Sequence, residues 1–584
     1  MTESPESIAP EAMASRVWPH RPLVLALLGL ATGLAVHQII GTTSDYNLST
    51  AKLAWIAFVT VAAGLVGFTV ERKYWQASVV FGVVTGAVAG AILWWNGTPD
   101  HWSGGDGWRT VALLLAIAVA APLFQAARDH YEPGARPRFP YAAVHDHAWS
   151  NIVLWVACWV FVGITFALSF LLAELFALIK LRFLKQLLEE EWFWRLLIGL
   201  AFGGALGILR EQGRVVQLLQ RVVATVLAVL APVLAAGLIL FVLALPFTGL
   251  APLWEAGSAT GILLACIVGS LILANAVIGS AADEERRSPP LRFGAMGLAL
   301  VMLPLGIIAA IAIGLRIGQY GFTPERLWAL TFVILACAFG LAYLASLRGR
   351  LAWAEHARPA NLNLAFVTCG VALLLATPLV SFNAIATRDQ VGRLESGKLT
   401  PEKFDWRALA FTFGEPGKAA LKRLQASANP AIRERAVAAG KAENRWELAD
   451  AVPSHADVLK KLRIVPAGAA LPAGAVDVLA REQCGDPDNS CTVLVSDPAT
   501  IVILRDSCFA RERDWLCNDV NAYRLDAGKW TQQDRRDRET PTPAEAKANA
   551  QAQKNAYAAG QVEVRKVERR QAFVGGKPVG SVFE

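Results

Sequence analysis

Residues 222–246 read VVATVLAVLAPVLAAGLILFVLALP, twenty-five positions without one charged side chain. Wound as an α-helix, such a run is about 37 Å long, enough to cross a hydrocarbon layer of about 30 Å. Lipid offers no partner for a free backbone amide, so a segment of this kind must be helical. Ten further segments read the same way, at 22–41, 53–70, 77–95, 108–127, 149–173, 192–209, 257–280, 294–316, 326–347 and 362–382. The expected fold is an all-α polytopic membrane bundle of about 11 transmembrane helices, followed by a C-terminal mixed α/β soluble domain.

Composition divides at the same place. The 584 residues are 54% hydrophobic and 18% charged, with a mean hydropathy of +0.41. Residues 1–382 carry only 24 of the 55 Lys and Arg and 21 of the 48 Asp and Glu. A wholly soluble, collagen-like or disordered chain is excluded by that distribution. The net charge of +7 is spread over membrane loops and a tail of mixed sign, which argues against nucleic acid as a partner. The start, Met1–Ala14, is polar and acidic and lacks the pattern of a cleavable signal. The first apolar segment is therefore expected to remain as a membrane helix.

Positive charge orients the bundle. Sixteen Lys and Arg fall on the side shared with the N-terminus, among them Arg21, Arg72, Lys73, Arg128, Arg210, Arg221, Arg286 and Arg358, against eight on the other side. Cytoplasmic loops carry such an excess. The expected topology is a cytoplasmic N-terminus and, after eleven crossings, a periplasmic C-terminal domain in a bacterial inner membrane. The expected organisation is a cytoplasmic segment 1–21, a membrane domain 22–382 and a helical connector 383–446. An extracytoplasmic α/β domain at 447–540 follows, then a linker or surface helix and a closing β-hairpin at 541–584. Within the membrane domain, ELFALIKLRFLKQLLEEE at 174–191 has an apolar face and an acidic end, as an interfacial amphipathic segment does.

Cysteine placement supports an oxidising location for the tail. Cys158, Cys266, Cys337 and Cys369 sit inside apolar segments, where small buried hydrophobes are the expectation. Cys484, Cys491, Cys508 and Cys517 cluster in the tail and fit one or two disulfides, with three pairings open. Their spacings lack the tight pairs of a zinc site. Fifteen of the 19 tryptophans precede residue 383, many at segment ends, as interfacial anchors do.

Polar groups inside the membrane are few. They are His37, Asn275, and Glu174 and Arg316 at segment ends. The richest cluster is Tyr141, His145, Asp146, His147, Trp149 and Asn151, ahead of the fifth segment. Its two histidines suit interfacial hydrogen bonding better than metal binding, since no third ligand is spaced to join them. Gly321 offers a turn, and Thr323–Pro324 reads as a helix cap followed by a first-turn proline. In the tail, 492–495 and 501–504 are rich in β-branched residues and read as strands. The GDPDN stretch, with Asp486, Asp488 and Asn489, is too short for a calcium loop and suits a turn.

Tyr320, Gly321, Thr323, Pro324, Glu325 and Arg326 are followed by one crossing and then by ATRDQVGRLESGKLTPEKFDWRALAFTFGEPGKAAL at 386–421. With Arg388, Gln390, Arg393, Leu394, Gly397, Phe404, Asp405, Leu409, Phe411, Gly414, Gly417 and Leu421 in that order, the chain resembles the bacterial membrane-protein family called domain of unknown function 4153. The resemblance implies no activity, so it brings no catalytic residue, cofactor or metal.

No hydrolase elbow, zinc-protease helix, phosphate loop or dinucleotide fingerprint occurs in the tail. Glu415 with Asp405, and His455 with Asp457, have no spacing that selects an acid–base pair. The expected function is a non-enzymatic envelope sensing, scaffolding or interaction protein with an envelope protein as a possible partner beside the lipid bilayer. A transporter with a site around His37 and Asn275, and a membrane enzyme acting on lipid or glycan, are the alternatives.

Overall fold

The computed structural model describes residues 18–41, 48–98, 102, 105–250, 259–442, 444, 448, 458–459, 462–466, 468–482 and 484. It also describes 491–505, 520–526, 528–532, 552, 554–556, 558–559, 570–574 and 577–583. The chain separates into two compact units, Met1–Leu399 with Ala408–Ala436, and Thr400–Arg407 with Val437–Glu584.

The first unit is helical. Its elements are α1 (Arg21–Ile40), α2 (Thr50–Thr69), α3 (Trp75–Asn96), α4 (Asp106–Asp129), α5 (Tyr141–Leu178), α6 (Phe183–Glu189) and α7 (Glu191–Glu211). Then come α8 (Gly213–Thr248), α9 (Ala259–Ile278), α10 (Pro289–Tyr320), α11 (Pro324–Ser346) and α12 (Trp353–Ala376). Among the described residues, ten stretches are long and apolar enough to cross a membrane. The tenth, Pro324–Ala376, runs for 53 residues, about 80 Å if straight. It bends at Arg350, whose φ of 50° and ψ of −117° are not helical, so α11 and α12 are separate rods. The chain is thus a multi-span membrane protein.

Side-chain size sets how closely these rods approach. Gly29 on α1 meets Gly199 and Gly203 on α7, Gly33 packs on Arg195 and Leu196, and Gly207 packs on Pro22, so a Cβ on any of these five glycines would collide with the partner helix's backbone. Glycine at intervals of four lines one helical face and lets backbones touch. Gly82, Gly86 and Gly90 do the same for α3 against α2, where a Cβ would come within 2.8–2.9 Å of α2 atoms. The largest apolar cluster joins α8 to α12 through Leu263, Ile267, Leu298, Met302, Leu305 and Tyr343. Outward side chains such as Leu171, Val233, Leu240 and Phe247 are exposed, as a lipid-facing surface requires.

Past the last apolar helix come α13 (Phe382–Glu395), a short π turn at Ala408–Thr412, α14 (Gly414–Leu424) and α15 (Pro430–Lys441).

The second unit holds a mixed sheet in spatial order β1 (Leu462–Val465), β2 (Cys491–Asp497), β3 (Thr500–Arg505), β4 (Val520–Asp526), β5 (Lys529–Gln532). β1 runs parallel to β2 and the other neighbours are antiparallel. A parallel pair needs a crossover, and α16 (Ala475–Arg481) occupies that connection. Val478 and Leu479 of α16 pack with Val493, Ile501 and Ile503 of the sheet. Cys484 and Cys491 are disulfide-bonded, tying the segment after α16 to the start of β2. Cys508 and Cys517, the GDPDN turn, and His455 and Asp457 lie outside the described residues. β6 (Arg570–Val574) and β7 (Lys577–Phe583) pair as an antiparallel hairpin.

Candidate functional site

Two polar assemblies occupy the end of the helical unit where α5 and α8 begin and α4, α7 and α9 end. The first is a cleft of about 620 Å³ between the first turns of α5, the first turns of α8 and the end of α9 with its following loop. That size falls within the range of small-ligand sites. His145, Asp146, Trp149 and Ser150 line it from α5, and Gln217, Gln220, Arg221 and Thr225 from α8. Asn275 and Ala276 form its α9 wall, and Gly279, Asp283, Glu284 and Arg286 close it from the loop.

The wall at Asn275 is fixed by hydrogen bonds from three other helices. Asn361 Nδ2 of α12 donates to Asn275 Oδ1 at 2.7 Å, and Tyr141 OH of α5 donates to the same oxygen at 3.4 Å. The amide nitrogen of Asn275 donates to Tyr343 OH of α11 at 2.8 Å and to the Leu271 carbonyl at 2.8 Å. Beyond this hub, α9 continues into the apolar cluster with Leu263 and Ile267.

The rim is anchored unevenly. Gln220 Nε2 donates to Ser150 Oγ at 2.6 Å, which joins α8 to α5. Arg286 donates to the Ala276 carbonyl and, at 3.1 Å, to Thr225 Oγ1. Burial lowers the Arg286 pKa from its usual value, and Glu284 opposes that shift. Glu284 itself is engaged, accepting from Ser280 Oγ at 2.6 Å. Arg221 and Asp283, in contrast, make no side-chain hydrogen bond or ion pair among the described residues, and both are exposed.

The two histidines of the sequence cluster part company. Residues two apart on a helix point to different faces, and both lie within α5 rather than ahead of it. Trp149 Nε1 donates to His145 Nε2 at 3.2 Å. A neutral ring that accepts at Nε2 carries its proton on Nδ1, and Nδ1 makes no hydrogen bond among the described residues, with Asp146 Oδ1 3.6 Å away. His147 instead reaches Asp129 at 3.0 Å. No group of three metal-ligating side chains forms among the described residues.

His147 belongs to the second assembly, an ion network under the α2–α3 turn. Glu71 receives Arg21 at 2.5 Å on one carboxylate oxygen and Arg210 at 2.6 Å on the other. Arg21 also pairs with Glu211 at 3.2 Å. Arg128 donates to the Thr69 carbonyl and to Ser78 Oγ at 3.2 Å, and pairs with Asp129 at 2.6 Å. Gln125 and Asn151 exchange an amide hydrogen bond of 2.7 Å. Arg21 and Arg128 are 4% and 7% exposed, and through these contacts the two arginines join five helices.

At the opposite end, His37 accepts from Arg195, 3.0 Å away, and Glu174 pairs with Lys185 at 2.8 Å. Both contacts are structural, and neither residue reaches the cleft.

A family model described as "Domain of unknown function (DUF4153)" matches residues 51–434. The chain belongs to that family. Among curated proteins and among solved structures, none matches it.

The DUF4153 match takes in α2 to α14 and every residue lining the cleft, whereas Arg21 and the rest of α1 precede it. Motif residues around 320–326 and 389–393 meet in space. Gly321 has a φ of +78° between α10 and α11, a conformation that side chains resist. Thr323 caps α11, accepting from the Arg326 amide at 3.3 Å, with Pro324 at the first turn. Gln390 of α13 donates to the Tyr320 and Phe322 carbonyls at 2.8 and 3.0 Å. Asp389 accepts from the Phe322 amide at 2.8 Å, and Arg393 bonds Asp389 at 3.1 Å.

Sequence reasoning found Asn275, His145, Asp146 and Trp149 but missed Gln217, Gln220, Asp283 and the hub partners Tyr343 and Asn361. Arg221 and Arg286 entered it only as loop charge. A Gln pair at 217 and 220 with Arg221, on the face of an otherwise apolar helix, was the available signal.

Proposed function

We propose that this DUF4153 chain is a sensing protein of the bacterial envelope that binds a polar ligand in the cleft between α5, α8 and α9. In this reading it has eleven crossings, with α11 and α12 counted separately, a cytoplasmic N-terminus and a periplasmic C-terminal domain. The cleft then faces the cytoplasm, and the disulfide Cys484–Cys491 lies in the oxidising compartment.

The observation that carries the binding role is a cavity of ligand size bearing uncommitted charges of both signs, Arg221 and Asp283. Binding is favoured over transport because the Asn275 wall is backed by packed Leu263, Ile267, Leu298 and Met302. A transported solute would need a path through that layer. Binding is favoured over acid–base catalysis because Trp149 already occupies Nε2 of His145.

Native mass spectrometry of the protein extracted from its own membranes tests the reading. A reproducible bound species that is lost in the Arg221→Ala, Asp283→Asn double variant is the expected result. Identical spectra for the two proteins would refute a ligand in this cleft.

A further inference from the structure

We infer that the cleft recognises a phosphodiester carrying a primary amine, the headgroup chemistry of an aminophospholipid, an inference that rests on the binding role proposed above.

The charges select a zwitterion. Arg221 and Arg286 line the same cavity as Asp146 and Asp283. A purely anionic ligand would face these carboxylates together with that of Glu284, and a purely cationic one the two guanidiniums. A phosphodiester beside an ammonium satisfies both sets. Guanidinium matches phosphate oxygens with paired donors, and Arg221 has no competing partner among the described residues. A primary ammonium brings three donors for carboxylate and amide acceptors, and Asp283, Asp146 and Gln217 offer these. A quaternary ammonium has no such donors and depends on the faces of Trp, Tyr or Phe, of which the described lining residues include only Trp149.

Depth selects a lipid as the natural bearer of that group. The exposed apolar residues Leu218 and Val222 of α8 and Ile152 and Val156 of α5 begin within a turn or two of the lining positions. A headgroup seated beside Arg221 therefore has its acyl chains next to an apolar flank. Trp149 belongs at the same level, since indole favours the membrane interface. The same chemistry also exists in water as glycerophosphoethanolamine, which would enter from the open side.

Binding to the full chain in nanodiscs separates these cases. Phosphatidylethanolamine, phosphatidylglycerol and phosphatidylcholine are each titrated into a neutral host lipid, with thermal stability and native-mass adducts as readouts. Glycerophosphoethanolamine is added in solution as a competitor. The expected result is saturable retention of phosphatidylethanolamine over both other lipids. Arg221→Ala and Asp283→Asn should each weaken it by about tenfold, the scale of one charge-assisted hydrogen bond. Both residues are exposed and unbonded, so these variants keep the fold, and Arg221→Lys should recover part of the affinity. Competition by the soluble diester would support the headgroup chemistry and assign recognition to the head alone. Failure to compete, with lipid selectivity intact, would support the lipid as source. Equal or tighter binding of phosphatidylglycerol or phosphatidylcholine would overturn the inference while leaving a ligand-binding cleft. No difference between wild type and variants with any lipid or diester would overturn it too. A different bound species in the native spectra would then keep the sensing role, and an empty spectrum would remove both.

Discussion

Gln390 straddles Gly321. Its side-chain amide donates to the carbonyls on either side of the glycine, Tyr320 at 2.8 Å and Phe322 at 3.0 Å. A Cβ on Gly321 would sit 2.5 Å from Gln390 Nε2, 2.6 Å from Asp389 Oδ2 and 2.7 Å from Arg393 Nε. The helix after the last apolar segment is thereby locked onto the α10–α11 turn. Gly321→Ala should lower stability by about 2–3 kcal/mol, combining a glycine-only backbone region with a displaced Gln390. Gln390→Ala should cost about 1–2 kcal/mol. The double variant should fall short of their sum, because both remove one contact. Thermal unfolding in detergent, followed by tryptophan fluorescence, checks all three.

Glu71 serves two arginines at once. Replacing it with Gln leaves Arg21 and Arg210 without their shared anion. Removing one member of a fully buried pair costs about 3–5 kcal/mol. The Glu71 side chain is 38% exposed, so water compensates part of this and about 1–2 kcal/mol is expected. Glu71→Gln should melt earlier than wild type, whereas Glu415→Gln, which breaks the exposed pair with Lys418, should not. Equal melting temperatures for all three proteins would contradict the network's structural role.

Asn275 joins four helices through side chains alone. Asn275→Leu removes the acceptor used by Asn361 and the donor used for Tyr343. Unpaired buried polar groups cost about 1–3 kcal/mol, so the variant should lose stability of that order. Removing Tyr343 OH as well, by Tyr343→Phe, should cost less in the Asn275→Leu background than in wild type. A double-mutant cycle on unfolding free energies gives the coupling.

The Cys484–Cys491 bond closes a short loop around the start of β2. Chain-entropy arguments give such a loop about 2–3 kcal/mol. Cys484→Ser with Cys491→Ser should make the second unit more susceptible to limited proteolysis while leaving the melting of the helical unit unchanged. A thiol-alkylation gel shift on intact cells should label neither cysteine until a reductant is added.

Orientation has its own direct check. A tag after Glu584 should be cleaved by protease added to intact spheroplasts, consistent with an odd number of crossings. Cleavage only after the inner membrane is permeabilised would place the tail in the cytoplasm.

Membrane character was legible because transfer to lipid depends on local composition, and a run such as 222–246 carries it residue by residue. The cap at Thr323 and the turn at Gly321 were legible for the same reason, since a backbone conformation and its capping atom lie within a few positions. The glycine series 199, 203 and 207 was visible as a spacing, but the α1 backbone it packs against, at Gly29, Leu25 and Pro22, lies far away in the chain, and spacing alone names no partner. The break between α11 and α12 was legible, because the apolar run stops at 347 and resumes at 362, but its placement at Arg350 was not, since an arginine at positive φ has no sequence signal.

The sequence by itself determined a multi-span helical chain, a charged tail and the family, since these follow from hydrophobicity and local motif. Only the tertiary structure decided that His145 and His147 serve different networks, that Arg21 and Arg210 share Glu71, and that Arg221 and Asp283 face one cleft. The physical reason is that charge pairing and cavity shape depend on distances of a few ångströms between residues far apart in the chain, and these are set by how the helices pack.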